Sequence, residues 1–258
     1  MDSIFSVRDK VVLVTGGTSG IGAMIAEGFV KAGARVYITS RKADACQATE
    51  AALSVHGYCR SQPADVGSES GRKTVCEWLA GQEQQLDVLV NNAGTTWGAT
   101  MNDYTEAAWD RVLGLNLKAP FFLIRDLLPM LERAASDASP ARVINITSIA
   151  GQQSASIMAY AYGPSKAALN QLTRTLANEF VSKRITVNAI APGFFPSKMT
   201  AHLRRSDDME RQLALTVPMQ RLGSMEDVAG LAIYLSSRAG AYMTGNVIPL
   251  DGGMLLRH

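Results

Sequence analysis

Val11-Val-Leu-Val-Thr15-Gly16-Gly17-Thr18-Ser19-Gly20-Ile21-Gly22 joins a short β-branched apolar run to a glycine-rich turn, and helical periodicity follows from Ile21 to Lys31. Glycine pairs mark many ordinary turns. Between a strand and a helix the pattern carries more information: glycines let the backbone approach a diphosphate, and the N–H groups of the helix start attract its charge. The segment predicts the first βα unit of a nucleotide-binding sheet.

Outward from it, strand-like and helix-like stretches alternate. Arg35–Thr39, Leu86–Val90, Arg142–Ile146, Ile185–Ile190 and Asn246–Leu250 are short and apolar, with Tyr58–Gln62 a weaker candidate in the same rhythm. Near-continuous apolar runs suit parallel strands covered on both faces. Helical patterns occupy Ala43–Val55, Ser68–Gly81, Asn116–Ala135, Tyr162–Val181 and Met225–Ser237, and Gly33 closes the first helix. The expected fold is α/β, a doubly wound parallel sheet of about seven strands in one domain over 1–258. Residues 194–224 break the rhythm with mixed composition after a strand's C-terminal end, where such sheets bind ligands, so a substrate lid is expected there.

Composition excludes several classes. Of 258 residues, 47% are hydrophobic and 19% charged, and 25 basic against 23 acidic side chains leave a net charge of +2. That balance argues against nucleic acid or an anionic membrane as partner. No apolar run reaches the roughly 18 residues of a membrane span, and the start, MDSIFSVRDK, has no signal core. Cys46, Cys59 and Cys76 have no metal-like spacing and read as reduced thiols, and a cytoplasmic location is expected. His56, His202 and His258 are scattered, so no metal site is expected. Asn145-Ile146-Thr147 matches a glycosylation sequon but ends an apolar strand.

The second informative run is Tyr162-Gly-Pro-Ser-Lys166. It sets a phenol and an ammonium four residues apart, on one face of a helix. A free phenol has a pKa near 10; a cation one turn away favours the phenolate and brings that value down. Tyr160 is a weaker rival on another face. Ser148, or its neighbour Thr147, offers a hydroxyl at the end of the strand Arg142–Ile146.

These motifs, in this order, resemble the short-chain dehydrogenase/reductase family from about Lys10 to Gly253. The turn has that family's Thr-Gly-x-x-x-Gly-x-Gly spacing; Asp65-Val66, Asn91-Asn-Ala-Gly94, Pro192-Gly193 and Asp251-Gly252-Gly253 match its other signatures, with Ser197 where a Thr is usual. The resemblance implies a Rossmann fold and a catalytic tetrad of Asn116, Ser148, Tyr162 and Lys166. In it Ser148 orients the substrate oxygen, Lys166 assists Tyr162, and Asn116 supports a water that links the lysine to solvent. It further implies cofactor contacts from Gly16, Thr18, Ser19, Gly20, Ile21, Asp65, Val66, Asn92, Ala93, Gly94, Pro192, Gly193, Phe195 and Ser197.

The end of the second strand reads Thr39-Ser40-Arg41-Lys42, with no acid before Asp44. A carboxylate there would favour NAD by binding ribose hydroxyls, whereas a basic residue accommodates a 2′-phosphate. NADP(H) is therefore expected over NAD(H), with Ser40, Arg41 and Lys42 in contact. The substrate pocket is expected from Thr95, Thr96 and Trp97, from Ser148, Ala150, Gln152, Ser154 and Met158, and from Phe194, Met199 and Leu203. It is largely apolar and suits an acyl chain.

Within the family the chain looks most like bacterial 3-oxoacyl reductases of the type associated with rhamnolipid synthesis. That implies a thioester carried on acyl carrier protein or coenzyme A, and a homodimer or homotetramer. A sugar acid or other small ketone is the alternative substrate, and a non-catalytic NADPH-binding regulator the alternative class.

Overall fold

A computed structural model describes residues 4–154, 158–197 and 206–256. Seven strands form one parallel sheet in the order β3-β2-β1-β4-β5-β6-β7. They are β1 (Val11–Thr15), β2 (Arg35–Ser40), β3 (Cys59–Pro63), β4 (Val88–Asn91), β5 (Ala141–Ile146), β6 (Ile185–Pro192) and β7 (Val247–Leu250). The order reverses between β1 and β4, which opens a crevice at their C-terminal ends.

Side chains alternate across the pleat, and both faces are apolar, which is why the strands read as continuous runs. Val12 and Val14 join one core with α1 (Gly20–Lys31), α2 (Ala43–Ser54) and α8 (Met225–Ser236). Val11 and Leu13 join the other with α3 (Glu69–Ala80), α5 (Ala119–Ala134) and α6 (Tyr162–Phe180). Gly33 ends α1 as expected, at φ +84°. Leu127, Leu131, Leu176 and Phe180 belong to the second core, and Leu169 is buried on the same helix as Leu176.

Two helices escape the sequence reading. Helix α4 (Glu106–Leu113), capped by the Thr105 side chain on the Ala108 N–H, runs through a π-helical turn (Gly114–Lys118) into α5. Pro120 has no N–H to give the Asn116 carbonyl, so the α-helical ladder cannot continue there. Helix α7 (Asp207–Thr216) lies inside the expected lid, capped by Ser206, and buries none of its residues fully. No helix among the described residues is long and apolar enough to cross a membrane.

Asn145 of the sequon is wholly buried, bonded through its amide to Asn91 and Thr173. Burial pushes the Cys59 and Cys76 thiols up to about 12, so neither is a reactive thiolate at neutral pH.

Candidate active site

The C-terminal ends of the strands frame a cleft of about 1340 Å³. Gly16, Thr18, Ser19, Gly20 and Ile21 line it from the first turn, Ser40, Arg41 and Lys42 from the end of β2, and Asp65 and Val66 from the loop after β3. Asn92, Ala93, Gly94 and Thr96 follow β4; Ser148, Ala150, Gln152 and Ser154 follow β5. Tyr162 and Lys166 enter from α6, Pro192 ends β6, and Gly193, Phe194, Phe195 and Ser197 follow it.

The nucleotide end fits a dinucleotide. Gly16 has φ +66°, and a Cβ on Gly22 would lie 2.4 Å from the Gly16 carbonyl, so the turn closes only with glycine. Asn92 holds this turn in place: its side-chain N–H donates to the Thr15 carbonyl at 2.9 Å, and the Thr15 hydroxyl accepts the Asn92 and Ala93 N–H groups. The side chain of Ser19, the N-cap of α1, makes no capping hydrogen bond, and the first turn carries no acid. These features suit a pyrophosphate at the helix start. At the far wall the Thr18 hydroxyl donates to Ser40 Oγ at 3.0 Å, beside the exposed Arg41 and Lys42.

At the other end, α6 begins at Tyr162, so Tyr162 and Lys166 stand one turn apart. Tyr162 is hydrogen-bonded to the Ser148 side chain; burial raises the phenol's pKa, and the Ser148 bond partly offsets this. Lys166 is buried, donates from Nζ to the Ile146 carbonyl at 2.9 Å, and is pushed down to about 8 by desolvation. The Ile146 carbonyl at the end of β5 thus aims the ammonium toward the strand that delivers Ser148. A neutral phenol, a neighbouring hydroxyl and a readily deprotonated amine together can pass a proton to an oxygen held between Ser148 and Tyr162.

Asn116 sits behind the cleft wall, fully buried in the π-helical turn. Its amide accepts the Thr95 N–H at 2.8 Å and donates to the Thr95 carbonyl at 2.9 Å and to Ser165 Oγ at 3.0 Å. Ser165 in turn donates to the Tyr162 carbonyl at 2.6 Å. The Asn116 side chain therefore braces the first turn of α6, and both its N–H donors are used. A Cβ on Gly94 would stand 3.3 Å from Asn116 Oδ1 and 3.5 Å from Lys166 Nζ, so that glycine keeps the lysine reachable.

The structure departs from the sequence reading at Tyr162, whose phenol pKa burial raises rather than lowers, and at three expected pocket residues. Trp97 and Met158 are not among the residues that line the cleft; both are partly exposed, and the Ala99 N–H donates to the Met158 carbonyl at 3.1 Å. Thr95, whose backbone N–H and carbonyl both bond the Asn116 side chain, is not among the residues that line the cleft. Met199 and Leu203 lie outside the described residues. Sequence reading missed Ser165 as a brace, although its offset of three from Tyr162 was visible. It also missed Tyr104, whose hydroxyl accepts the Ala161 N–H just before Tyr162, and Tyr160 and Met254 as cleft walls. No group of three His, Cys, Asp or Glu among the described residues could hold a metal.

A doubly wound sheet with a glycine-turn nucleotide cleft and a Ser-Tyr-Lys set at one end defines an oxidoreductase architecture, and the chain belongs to the short-chain dehydrogenase/reductase family. A family model described as enoyl-(acyl carrier protein) reductase matches residues 16–255. The chain is 50% identical over 256 residues to the rhamnolipids biosynthesis 3-oxoacyl-acyl-carrier-protein reductase of Pseudomonas aeruginosa, covering 99% of this chain and all of that one. A solved active-site complex of Pseudomonas aeruginosa RhlG with NADP superposes at a TM-score of 0.94, with 50% identity over 98% of this chain and 99% of that one. At 32% identity over 253 residues, covering 98% of each chain, stands the 2-dehydro-3-deoxy-D-gluconate 5-dehydrogenase of Dickeya dadantii.

Proposed function

We propose that this protein reduces the keto group of a 3-oxoacyl thioester to a secondary alcohol with NADPH. The convergence of Ser148, Tyr162 and Lys166 in the cleft that holds the glycine turn carries this reading. Bound NADPH supplies the hydride. Ser148 hydrogen-bonds the carbonyl oxygen, and Tyr162, kept neutral by burial, gives that oxygen its proton. Lys166, whose desolvated amine loses a proton readily, returns one toward the phenolate. Ser40, Arg41 and Lys42 receive the 2′-phosphate, and Asp65 and Val66 the adenine.

The thioester follows from the 50% identical reductase and from apolar walls at Ile149, Ala150, Phe194 and Met254. Its carrier is acyl carrier protein or coenzyme A, the location is cytoplasmic, and the assembly is a homodimer or homotetramer. The gluconate relative motivates a second reading, a sugar acid as substrate.

NADPH oxidation across 3-oxoacyl thioesters of rising chain length, an enoyl thioester and 5-ketogluconate decides between these. Rates should rise with acyl length. Turnover confined to the ketosugar, or to the enoyl substrate, would overturn the thioester ketone. Tyr162→Phe should lower turnover about a hundredfold to ten-thousandfold while NADPH still binds; near-normal turnover would remove Tyr162 from the proposed role. Binding without turnover on any carbonyl would favour a cofactor-sensing regulator.

A further inference from the structure

Arg72, on the first turns of α3, is buried at 5% exposure and has no ion pair among the described residues. Its Nε is buried without a hydrogen-bond partner. Its NH1 donates to the Val66 carbonyl at 3.1 Å and to the Gly67 carbonyl at 3.3 Å, and its guanidinium lies 5.4 Å from the Phe122 ring of α5. A buried cation with one orphaned N–H is a costly filler, and an apolar side chain of similar volume would pack there without that penalty. What the arginine supplies that a hydrocarbon cannot is two hydrogen bonds to the loop of Asp65 and Val66.

That loop is also held by the Val66 side chain, buried in the second core, and by hydrogen bonds at its start. The Asp65 carbonyl accepts the Ser68 N–H at 3.0 Å and the Ser68 hydroxyl at 2.9 Å, and Asp65 Oδ1 takes the Gly67 N–H at 3.0 Å. A Cβ on Gly71 would stand 2.0 Å from the Asp65 carbonyl, so α3 presses directly on the loop. The carbonyls of Val66 and Gly67 are drawn inward to Arg72, which fixes the peptide planes beside the cleft.

We propose that Arg72 is a positioning residue for the adenine end of the cofactor cleft. It holds the peptides of Val66 and Gly67 so that Asp65 and Val66 keep one wall shape, and its cation–π contact with Phe122 ties that wall to α5. The proposal rests on the nucleotide reading of the cleft given above.

The test compares wild type, Arg72→Met and Arg72→Lys by fluorescence titration with NADPH, by competition with 2′,5′-ADP, and by turnover. Arg72→Met should weaken NADPH and 2′,5′-ADP about tenfold and raise the NADPH KM by as much, with kcat at saturation within about twofold. Reduced nicotinamide mononucleotide, which lacks the adenine half, should support the same rate in variant and wild type. Arg72→Lys, which keeps one cationic donor, should fall between. If Arg72→Met does not fold, the lysine variant decides alone: a folded Arg72→Lys with wild-type affinity for 2′,5′-ADP overturns the proposal. So does an equal loss with the mononucleotide, which would mark a general effect on the fold. Failure of the wild type itself to bind NADPH would instead overturn the cofactor reading.

Discussion

Lys166 shows how burial serves chemistry at the expense of stability. Its pKa of about 8, against an ordinary 10.5, means that the unfolded chain binds more protons than the folded one between those values. The lysine's contribution to folding is therefore least favourable below pH 8 and recovers as pH rises toward 10.5. Urea unfolding of wild type against Lys166→Met should show wild-type stability gaining on the variant across that window; a flat difference would mean the ammonium is held there without cost. The proposed cofactor choice rests on single residues. Arg41 is exposed at the cleft mouth, so Arg41→Ala should weaken NADPH about tenfold and leave NADH nearly unchanged. Ser40→Asp replaces the hydroxyl that receives the Thr18 bond with a charge opposed to a 2′-phosphate, and should turn the preference toward NADH. Equal effects on both cofactors in titration would place the phosphate elsewhere.

Among the elements, the contact of the Ile149–Gly151 turn with α6 sets the distance between the Ser148 hydroxyl and Tyr162. A Cβ at Gly151 would lie 2.7 Å from the Ala167 nitrogen and 2.7 Å from the Lys166 carbonyl carbon, both of them backbone atoms that cannot move aside. Gly151→Ala should cost about 1–3 kcal/mol by overpacking, and should lower kcat more than it raises the cofactor KM. Gly98→Ala, at a site with no atom within 4 Å of the added carbon, is the control and should leave melting and turnover near wild type. Equal behaviour of the two variants would show that the turn does not depend on that close approach. The π-helical turn belongs to the same scale: Pro120 interrupts the ladder, and the turn buries Asn116 where it can brace Ser165.

For the whole molecule, the question is what covers the surfaces left outside the two cores. Phe121 and Trp109 are exposed on α5 and α4, Tyr242 is fully exposed near the end of the sheet, and β7 pairs with β6 alone. An open strand edge and outward aromatic groups suit symmetric self-association. Light scattering at micromolar protein should return a multiple of the 27.6 kDa chain mass; the monomer mass would refute the proposed assembly. Phe121→Asp should lower that multiple without lowering the helical content measured by circular dichroism.

What the amino-acid sequence determined by itself is what neighbouring residues decide together. Strand pattern, the glycine turn that opens α1, the end of α1 at Gly33 and the one-turn spacing of Tyr162 and Lys166 all depend on steric and periodic rules within a few residues. The seven strands, the cleft glycines and the pair Tyr162 and Lys166 were legible for that reason, whereas Ser148 was separated from Thr147 only by the family resemblance. Tertiary structure decided the rest, because those features join residues far apart in the chain. Asn116 meets Ser165 across 49 positions, and Tyr104 meets the Ala161 N–H across 57. The Ala99 N–H meets the Met158 carbonyl across two loops far apart in the chain. Arg72 looks like an ordinary helix arginine until α3 and α5 close around it. No local pattern encodes such contacts, since their energy exists only once the sheet has brought its two faces together.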